Sequence, residues 1–347
     1  MVRFWTRPVQ LSSPPGEVSR LLLIRPGGIG DAVLLVPAIR VLRQAWPDAT
    51  LHVLAEGRNA AIFGLCPEVD ATFHYDRPKE LATVLRGSYD VVIDTEQWHR
   101  LSAILGRLVR PGQLIGFASN DRSRVLTAPV AYCQDDYEAQ SFLHLLGPLG
   151  MGAEGGTSSP FLVIPKAVRD TAATLLGEGG TPRVVLFPGA SIAERRWGAG
   201  RFAEVARRLA EAGTELVVVG GAEDRAAAEE IVAKGRGLNL AGRTSLIETA
   251  AVLAQSHLLI SGDSGVLHLG VGLGVPTVSL FGPGRARKWA PRGDCHIVLN
   301  KELVCSPCTT FGYTPPCPIH ARCLQEITVD EVFAAASNLL DRCSERK

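Results

Sequence analysis

The sequence predicts an α/β protein with two domains in tandem, each built on a parallel sheet. Strand and helix patterns alternate along the first half, a Gly-, Ser- and Pro-rich stretch follows at residues 152–160, and the alternation then begins again. Such alternation is typical of parallel sheets covered by helices. The 347 residues also exceed the size at which one core stops growing, about 250–300 residues. We expect domains at 1–165 and 166–328, and a C-terminal helix at 329–347 that could pack back on the first domain.

The first domain opens with "LLIRPGGIGDAVLLVPAIRVLR", residues 22–43. A strand at 21–24 stops at Pro26-Gly27-Gly28, and apolar residues then recur at helical spacing from 33 to 42. The remaining patterns of this domain are a strand at 51–54, a helix at 58–65, a strand at 71–75, a helix at 79–86, a strand at 91–94, a helix at 100–108, a strand at 114–117 and a loop at 118–136.

The second domain repeats this order. Residues 183–209, "RVVLFPGASIAERRWGAGRFAEVARRL", contain a strand, a Pro-Gly turn and a helix from about Arg201. A strand from 215 and helices at 225–234 and 246–255 come next. Residues 256–283 then give strand, turn, helix and strand. Polar residues at the strand ends of both domains predict a ligand in a cleft between them.

Composition excludes some partners and compartments. The formal net charge is +1 and neither half is basic, so nucleic acid is not an expected partner. We find no signal-peptide pattern and no apolar stretch of the ~20 residues that a membrane span needs, which predicts a cytoplasmic protein. Arg3, Phe4, Trp5 and Arg7 could touch an anionic membrane surface, or could form an ordinary frayed terminus.

Asp31, with Gly28 and Gly30, stands where the first strand becomes a helix. In open parallel sheets, ligands bind at the carboxyl ends of the strands, so this carboxylate is a candidate general base. Capping of the helix is the structural alternative.

Two turns of the second domain are suited to a nucleotide diphosphate. After a buried strand, Asp263, Ser264 and Gly265 open a helix whose free N–H groups favour phosphate, and His268 lies one turn beyond Ser264. These residues could instead only cap the helix.

The other turn follows the strand at 184–187. Ser191 supplies a polar side chain there, and Arg195 and Arg196 supply guanidinium groups, which suit a diphosphate. Glu223, beyond the next strand, is placed to accept ribose hydroxyls, as in nucleotide-binding folds, or to be a solvated surface residue. G-x-x-x-x-G-K-[ST] does not occur, and the G-x-G-x-x-G match at residues 150–155 overlaps the Gly-rich linker rather than a strand-to-helix turn, so the usual dinucleotide and P-loop sites are not supported.

Residues 24–56, "IRPGGIGDAVLLVPAIRVLRQAWPDATLHVLAE", resemble the N-terminal signature of the ADP-heptose:lipopolysaccharide heptosyltransferases, glycosyltransferase family 9. "PGAS…RRWGAGRFAEV" and "GDSGVLHLGVGLGVPTVSLFGP" resemble its C-terminal signature. The resemblance implies a GT-B fold of two facing Rossmann-like domains, the first binding acceptor and the second binding nucleotide sugar. It also implies an inverting mechanism without metal or cofactor.

By that resemblance Asp31 is the catalytic base, Ser191 and Arg195 contact the donor diphosphate, and Glu223 contacts the ribose. Asp263, Ser264, Gly265 and His268 contact the sugar and phosphates. Many members of the family have a Lys before the Trp that corresponds to Trp197. Either Arg195 or Arg196 could align with that Lys in this sequence. The implied donor is ADP-heptose. The implied acceptor is a lipopolysaccharide core or related surface glycan, a glycolipid at the inner membrane surface, which the enzyme would meet as a peripheral protein.

Two other functions stay open at this stage. A nucleotide-sugar epimerase of the 2-epimerase type would use two similar domains without a separate acceptor. A non-enzymatic nucleotide-sugar-binding protein would need no base.

Four cysteines, Cys305, Cys308, Cys317 and Cys323, cluster in a Pro-rich segment. Their number would allow a tetrahedral zinc site, but an eight-residue gap is not a standard knuckle spacing. Cytosolic thiols need no partner, so we favour reduced or redox-labile cysteines over zinc.

Overall fold

The computed structural model describes residues 17–152, 159–177 and 179–344, with only the backbone described at 343 and 344. The chain divides into two compact units, Met1–Phe161 and Leu162–Lys347. The N-terminal residues Arg3, Phe4, Trp5 and Arg7, and most of the Gly-, Ser- and Pro-rich stretch, lie outside the described residues.

The first unit contains a six-stranded sheet in which all neighbouring strands are parallel, in the order β3-β2-β1-β4-β5-β6. Its strands and helices are β1 Arg20–Arg25, α1 Ile29–Ala45, β2 Thr50–Ala55, β3 Ala71–His74, α2 Pro78–Arg86, β4 Val91–Asp94, α3 Leu101–Leu108, β5 Gln113–Phe117, β6 Ala128–Val130 and α4 Glu138–His144. β1 is central, and its Leu21, Leu22, Leu23 and Ile24 are all buried. A strand that is covered on both faces is a continuous run of apolar residues, and this run is why β1 could be predicted from the sequence.

The second unit contains another six-stranded sheet, again parallel between neighbours, in the order β12-β11-β10-β7-β8-β9. Its strands and helices are α5 Lys166–Leu176, β7 Arg183–Phe187, α6 Ala199–Glu211, β8 Glu215–Val218, α7 Arg225–Gly235, β9 Leu238–Asn239, α8 Leu246–Ala254, β10 Leu258–Gly262, α9 Gly265–Gly272, β11 Thr277–Phe281, α10 Ala286–Trp289, β12 His296–Asn300, α11 Arg322–Gln325 and α12 Val329–Ser344. The predicted α/β class with two Rossmann-like halves is confirmed.

The C-terminal helix α12 completes the core of the second unit. It packs against α6 and against strands β10, β11 and β12. Val332, Ala336 and Leu339 of α12 share one apolar cluster with Val184 of β7 and Ile260 of β10. This helix was predicted as a segment separate from the second domain, and its residues instead belong to that unit's apolar core.

Both sheets reverse their strand order at an equivalent place. In the first unit the reversal falls between β1 and β4, and in the second between β7 and β10. In doubly wound sheets the loops at this point bind the ligand, because the two crossover connections leave in opposite directions and open a crevice. These two sheet edges are therefore where a ligand site is expected.

Several local features differ from the predictions. Ala60–Leu65 is a 3₁₀ helix, within a segment predicted as an ordinary helix. The predicted loop 118–136 contains the edge strand β6, and the elements α5, β9, α10, β12 and α11 were not predicted. Among the described helices, none has both the length and the apolar character to cross a membrane.

Candidate functional site

Asp31 lies in the first turn of α1, directly after the turn that ends β1. Its side chain is 19% exposed, and Oδ2 lies 3.7 Å from Nη2 of the buried Arg25. Gly28 is the N-cap residue of α1 and Gly30 precedes Asp31 in its first turn. Gly27 has a φ of +101°, and a Cβ there would lie 3.1 Å from Nη2 of Arg25. The glycine turn thus allows the guanidinium and the carboxylate to approach each other.

Arg25 is fixed by several contacts at the end of β1. Nη1 donates to the carbonyl of Thr95 at 2.9 Å, and Nη2 lies 3.4 Å from Oε2 of Glu96. Oε1 of Glu96 accepts hydrogen bonds from the backbone N–H groups of Trp98 and His99. Burial raises the pKa of Glu96, but Arg25 and these N–H groups outweigh burial, so the pKa lies below its ordinary value. Arg25 therefore sits between two carboxylates, of which Asp31 is the more exposed.

A second ion pair, between Arg122 and Asp94, lies fully buried beside this group. Ser102 also donates to the Asp94 carboxylate, at 3.1 Å. Burial raises the pKa of Asp94 to about 6, against the opposing charge of Arg122. Nearby, the buried Glu138 accepts from the side chain of Gln97. The loop after β4 is thus held by charged groups, and Arg25 contacts this loop at Thr95 and Glu96.

Arg195 and Asp263 meet at the reversal point of the second sheet. Nη1 of Arg195 lies 3.0 Å from Oδ2 of Asp263, which is buried. Oδ2 of Asp263 has no hydrogen-bond partner within the described residues, so this contact is an ion pair without hydrogen-bond geometry. Nε of Arg195 also has no hydrogen-bond partner among these residues. Burial raises the pKa of Asp263, and Arg195 opposes that rise.

The segment that carries Arg195 is anchored on both flanks. Trp197 is buried, and its Nε1 donates to the carbonyl of Ile327 at 2.9 Å. A Cβ on Gly262, the last residue of β10, would lie 3.1 Å from the carbonyl oxygen of Arg195. This close approach brings the guanidinium to the end of β10 and to the start of α9.

The N-terminus of α9 carries three of the predicted residues. Ser264 is the N-cap, and its Oγ accepts from the N–H of Leu267 at 3.2 Å. Gly265 begins the helix. His268 is buried on the next turn, and its Nδ1 has no hydrogen-bond partner in the described part of the chain. Burial lowers the pKa of His268 to about 4, so the imidazole is neutral at pH 7. A helix start with a neighbouring arginine is a favourable place for phosphate.

Arg196 faces a different group of residues from Arg195. Its Nε donates to the carbonyl of Ala190 at 2.9 Å, and its Nη2 lies 4.0 Å from Oδ1 of Asp224. Ser191 is exposed in the same turn. Of the two arginines, Arg195 is the one that lies beside the start of α9.

Glu223 and Asp224 follow β8 but differ in their surroundings. Glu223 is exposed, whereas Asp224 is buried and accepts from the N–H of Gly221 at 3.0 Å. A Cβ on Gly189 would lie 2.5 Å from the Asp224 side chain, and a Cβ on Gly220 would lie 2.7 Å from it. The Asp224 side chain therefore occupies space that is available only because both positions are glycine. Asp224 therefore supports the turn, and Glu223 is accessible to a ligand.

The predicted residues form one group in each unit. Asp31, Gly28 and Gly30 form the first, and Arg195, Asp263, Ser264, Gly265 and His268 form the centre of the second. Ser191, Arg196 and Glu223 lie on the β8 side of that second group. Sequence reasoning missed Arg25, Asp94, Glu96, Arg122, Glu138 and Asp224. Of these only Asp224 had a local signal, which was the run of glycines before it.

Among the described residues, no set of three or more His, Cys, Asp or Glu side chains is placed to hold a metal ion. Cys305, Cys308, Cys317 and Cys323 are free thiols.

Similar proteins identify the family. Residues 79–314 match glycosyltransferase family 9 (heptosyltransferase), which is more than half of the chain. Lipopolysaccharide heptosyltransferase 2 of Salmonella typhimurium is 33% identical over 289 residues, covering 76% of this chain and 83% of that protein. Lipopolysaccharide heptosyltransferase 1 of Pseudomonas aeruginosa is 26% identical over 327 residues, covering 85% and 88%. The structure of E. coli ADP-heptose lipopolysaccharide heptosyltransferase II superposes with a TM-score of 0.76 at 22% identity, covering 94% of this chain and 100% of that one. The chain therefore belongs to glycosyltransferase family 9, the heptosyltransferases, and is a glycosyltransferase.

Proposed function

We propose that this enzyme transfers a heptose from ADP-heptose to a lipopolysaccharide core or a related surface glycan. The observation that carries the proposal is the Arg195–Asp263 ion pair beside the N-terminus of α9, at the reversal point of the second sheet. A cation and free helix N–H groups are what a nucleoside diphosphate leaving group requires. The names of the relatives reported above support heptose as the sugar.

In the proposed reaction the first unit binds the acceptor and Asp31 removes a proton from its hydroxyl group. The acceptor oxygen then forms a bond to the anomeric carbon of the heptose, while the bond from that carbon to the diphosphate oxygen breaks. ADP leaves with the bonding electron pair, and the anomeric configuration inverts. Asp31 keeps the proton until solvent removes it. A positioned base of this kind contributes ~10²–10⁴ in rate.

The second unit holds the donor. Arg195 and the N-terminus of α9 neutralise the charge that develops on the diphosphate, Ser191 adds a hydroxyl contact, and Glu223 accepts the ribose hydroxyls. His268, neutral at pH 7, donates or accepts a hydrogen bond without adding charge. Because protein groups supply the positive charge, we propose that the transfer does not use a metal ion.

We further propose that the acceptor is a glycolipid, and that the enzyme works in the cytoplasm at the inner membrane surface. An epimerase is disfavoured because the chain matches a glycosyltransferase family, and a nucleotide-sugar sensor is disfavoured because it would need no base.

A donor screen tests the proposal. The purified enzyme is given ADP-heptose or a UDP-hexosamine, with a lipopolysaccharide acceptor that lacks heptose, and the products are analysed by mass spectrometry and by NMR at the anomeric position. We expect heptosylated acceptor with inverted configuration and ADP release that requires acceptor. Conversion of the UDP-sugar to its 2-epimer without acceptor would instead identify an epimerase.

A further inference from the structure

The helix α3 of the first unit is packed in an unusual way. Its buried residues are the small Ser102, Ala103 and Gly106, whereas large apolar residues face solvent. A Cβ on Gly106 would lie 2.7 Å from Cδ1 of Leu114, so this face of the helix lies directly on the sheet. A surface helix normally buries its large apolar side chains and exposes its polar ones. In α3 the large apolar residues are on the outer face.

The exposed residues form a surface that we call the α3 patch, consisting of Trp98, Leu101, Ile104 and Leu108. Their exposed fractions are 43%, 59%, 48% and 47%. The three helical members follow the three- and four-residue spacing of one helix face. In the described part of the first unit, these are all of the large apolar residues with such exposure. A clustered apolar surface of this kind marks an interaction site, whereas scattered residues would need no explanation.

The charge around the α3 patch is positive. Residues 98–110, "WHRLSAILGRLVR", include Arg100, Arg107 and Arg110 and contain no acidic residue. Arg124 lies close by through Asp121, whose carboxylate is 3.2 Å from Arg124 and 3.6 Å from Arg100. Four arginines against one aspartate give a local charge of +3, compared with +1 for the whole chain. Apolar and aromatic side chains bordered by arginines match an anionic lipid surface.

The α3 patch also begins next to the candidate acceptor site. The backbone N–H of Trp98 donates to Oε1 of Glu96 at 3.0 Å, and Oε2 of Glu96 lies 3.4 Å from Arg25, which contacts Asp31. A membrane in contact with the patch would therefore lie near the carboxylate that receives the acceptor's proton. A glycolipid acceptor keeps its lipid in the membrane and extends its sugars outward, so this placement suits its delivery.

We propose that the α3 patch docks the first unit on an anionic phospholipid membrane. The apolar side chains enter the headgroup region, and Arg100, Arg107 and Arg110 contact the lipid phosphates. The meaning of this surface for catalysis rests on the function proposed above, but the membrane binding itself does not.

Vesicle co-flotation of the full chain tests the proposal, with vesicles of phosphatidylcholine alone or of phosphatidylcholine with phosphatidylglycerol. We expect binding to the anionic vesicles, weakened by high salt, and at least ten-fold less binding to phosphatidylcholine alone. The triple variant Leu101→Gln, Ile104→Gln, Leu108→Gln should lose at least ten-fold in binding. Arg107→Gln should lose about five-fold, since one arginine near an anionic surface contributes about that factor. Val304→Gln, at an exposed apolar residue of the second unit, is the matched control and should bind like wild type.

Three outcomes would overturn the proposal: no wild-type binding to either vesicle, equal binding by the triple variant and wild type, or a concentration-dependent dimer that the triple variant abolishes without any vesicle binding. The last would make the patch an interface between two copies. Unaltered circular dichroism and turnover on a lipid-free oligosaccharide acceptor would show that the triple variant is folded. Vesicle binding by an enzyme that fails the donor screen would leave the docking surface intact and refute only the proposed function.

Discussion

Replacing Arg195 with Ala tests whether this guanidinium holds the donor diphosphate. A hydrogen bond to a charged group contributes ~1.5–3 kcal/mol, so the affinity for ADP should fall by about 10- to 150-fold, at ~1.4 kcal/mol per factor of ten. The structure adds a second effect. The buried carboxylate of Asp263 loses the cation that lies 3.0 Å away, and an uncompensated buried charge is itself costly.

The two effects are separated by a double-mutant cycle with Asp263→Asn. In the Asp263→Asn background the unpaired carboxylate is absent, so the loss of ADP affinity that Arg195→Ala still causes there belongs to the direct contact of Arg195 with phosphate. We expect the double variant to bind ADP at least about ten-fold more weakly than Asp263→Asn does. We also expect it to recover part of the melting temperature that Arg195→Ala loses.

Titration calorimetry with ADP is the assay, and Arg196→Ala is the control, since Arg196 faces Ala190 and Asp224. Arg196→Ala should change ADP affinity less than Arg195→Ala does. Equal affinity in the double variant and in Asp263→Asn would refute the reasoning, because Arg195 would then serve only to neutralise Asp263.

Four further results are expected. Asp31→Asn should lower turnover by ~10²–10⁴ while calorimetry shows unchanged ADP binding, and wild-type turnover would remove Asp31 from the mechanism. Glu223→Gln should weaken ADP binding without changing the melting temperature, whereas Asp224→Asn should lower the melting temperature, since the buried Asp224 accepts a hydrogen bond from the N–H of Gly221. Transfer should survive EDTA, and an immediate loss restored by Mg²⁺ or Mn²⁺ would contradict a metal-free reaction. The pKa of His268, lowered by burial to about 4 from 6.5, means that the unfolded chain binds the proton first. Stability should therefore fall as pH drops from about 6.5 to 4, by up to about 3 kcal/mol, and urea unfolding of His268→Gln at pH 4 and 7 should lack this component.

The fold and the positions of part of the candidate site could be predicted because their signals are local. A buried parallel strand is a continuous apolar run, and the turn after β1 carries its glycines and Asp31 within seven residues. The same holds for Ser264 and His268, which are one helical turn apart. Some short elements were not predicted, because their local sequence patterns are weak. The edge strand β6 has three residues, and one is Pro129, so it has neither the length nor the composition of a central strand.

The supporting charges could not be predicted, because they depend on which strands are neighbours. Arg25 and Thr95 are 70 residues apart and meet only because β1 pairs with β4. Arg122 reaches Asp94 across 28 residues for the same kind of reason. Charged side chains are rarely buried, and they are tolerated in the interior only when they are paired. Because the partner lies far away in the sequence, a short stretch of sequence does not show whether a charged side chain is buried or solvated.

The two units use one topology for opposite electrostatic tasks. In the first, the buried Arg25 supports the more exposed carboxylate of Asp31. In the second, the buried carboxylate of Asp263 supports the more exposed guanidinium of Arg195. In each pair the more buried ion keeps an oppositely charged partner, which limits its desolvation cost. We propose that the more exposed ion of each pair contacts the ligand. A sugar transfer requires both signs, a base for the acceptor proton and a cation for the departing diphosphate. In the proposed reaction, Asp31 of the first unit would be the base and Arg195 of the second unit would be the cation.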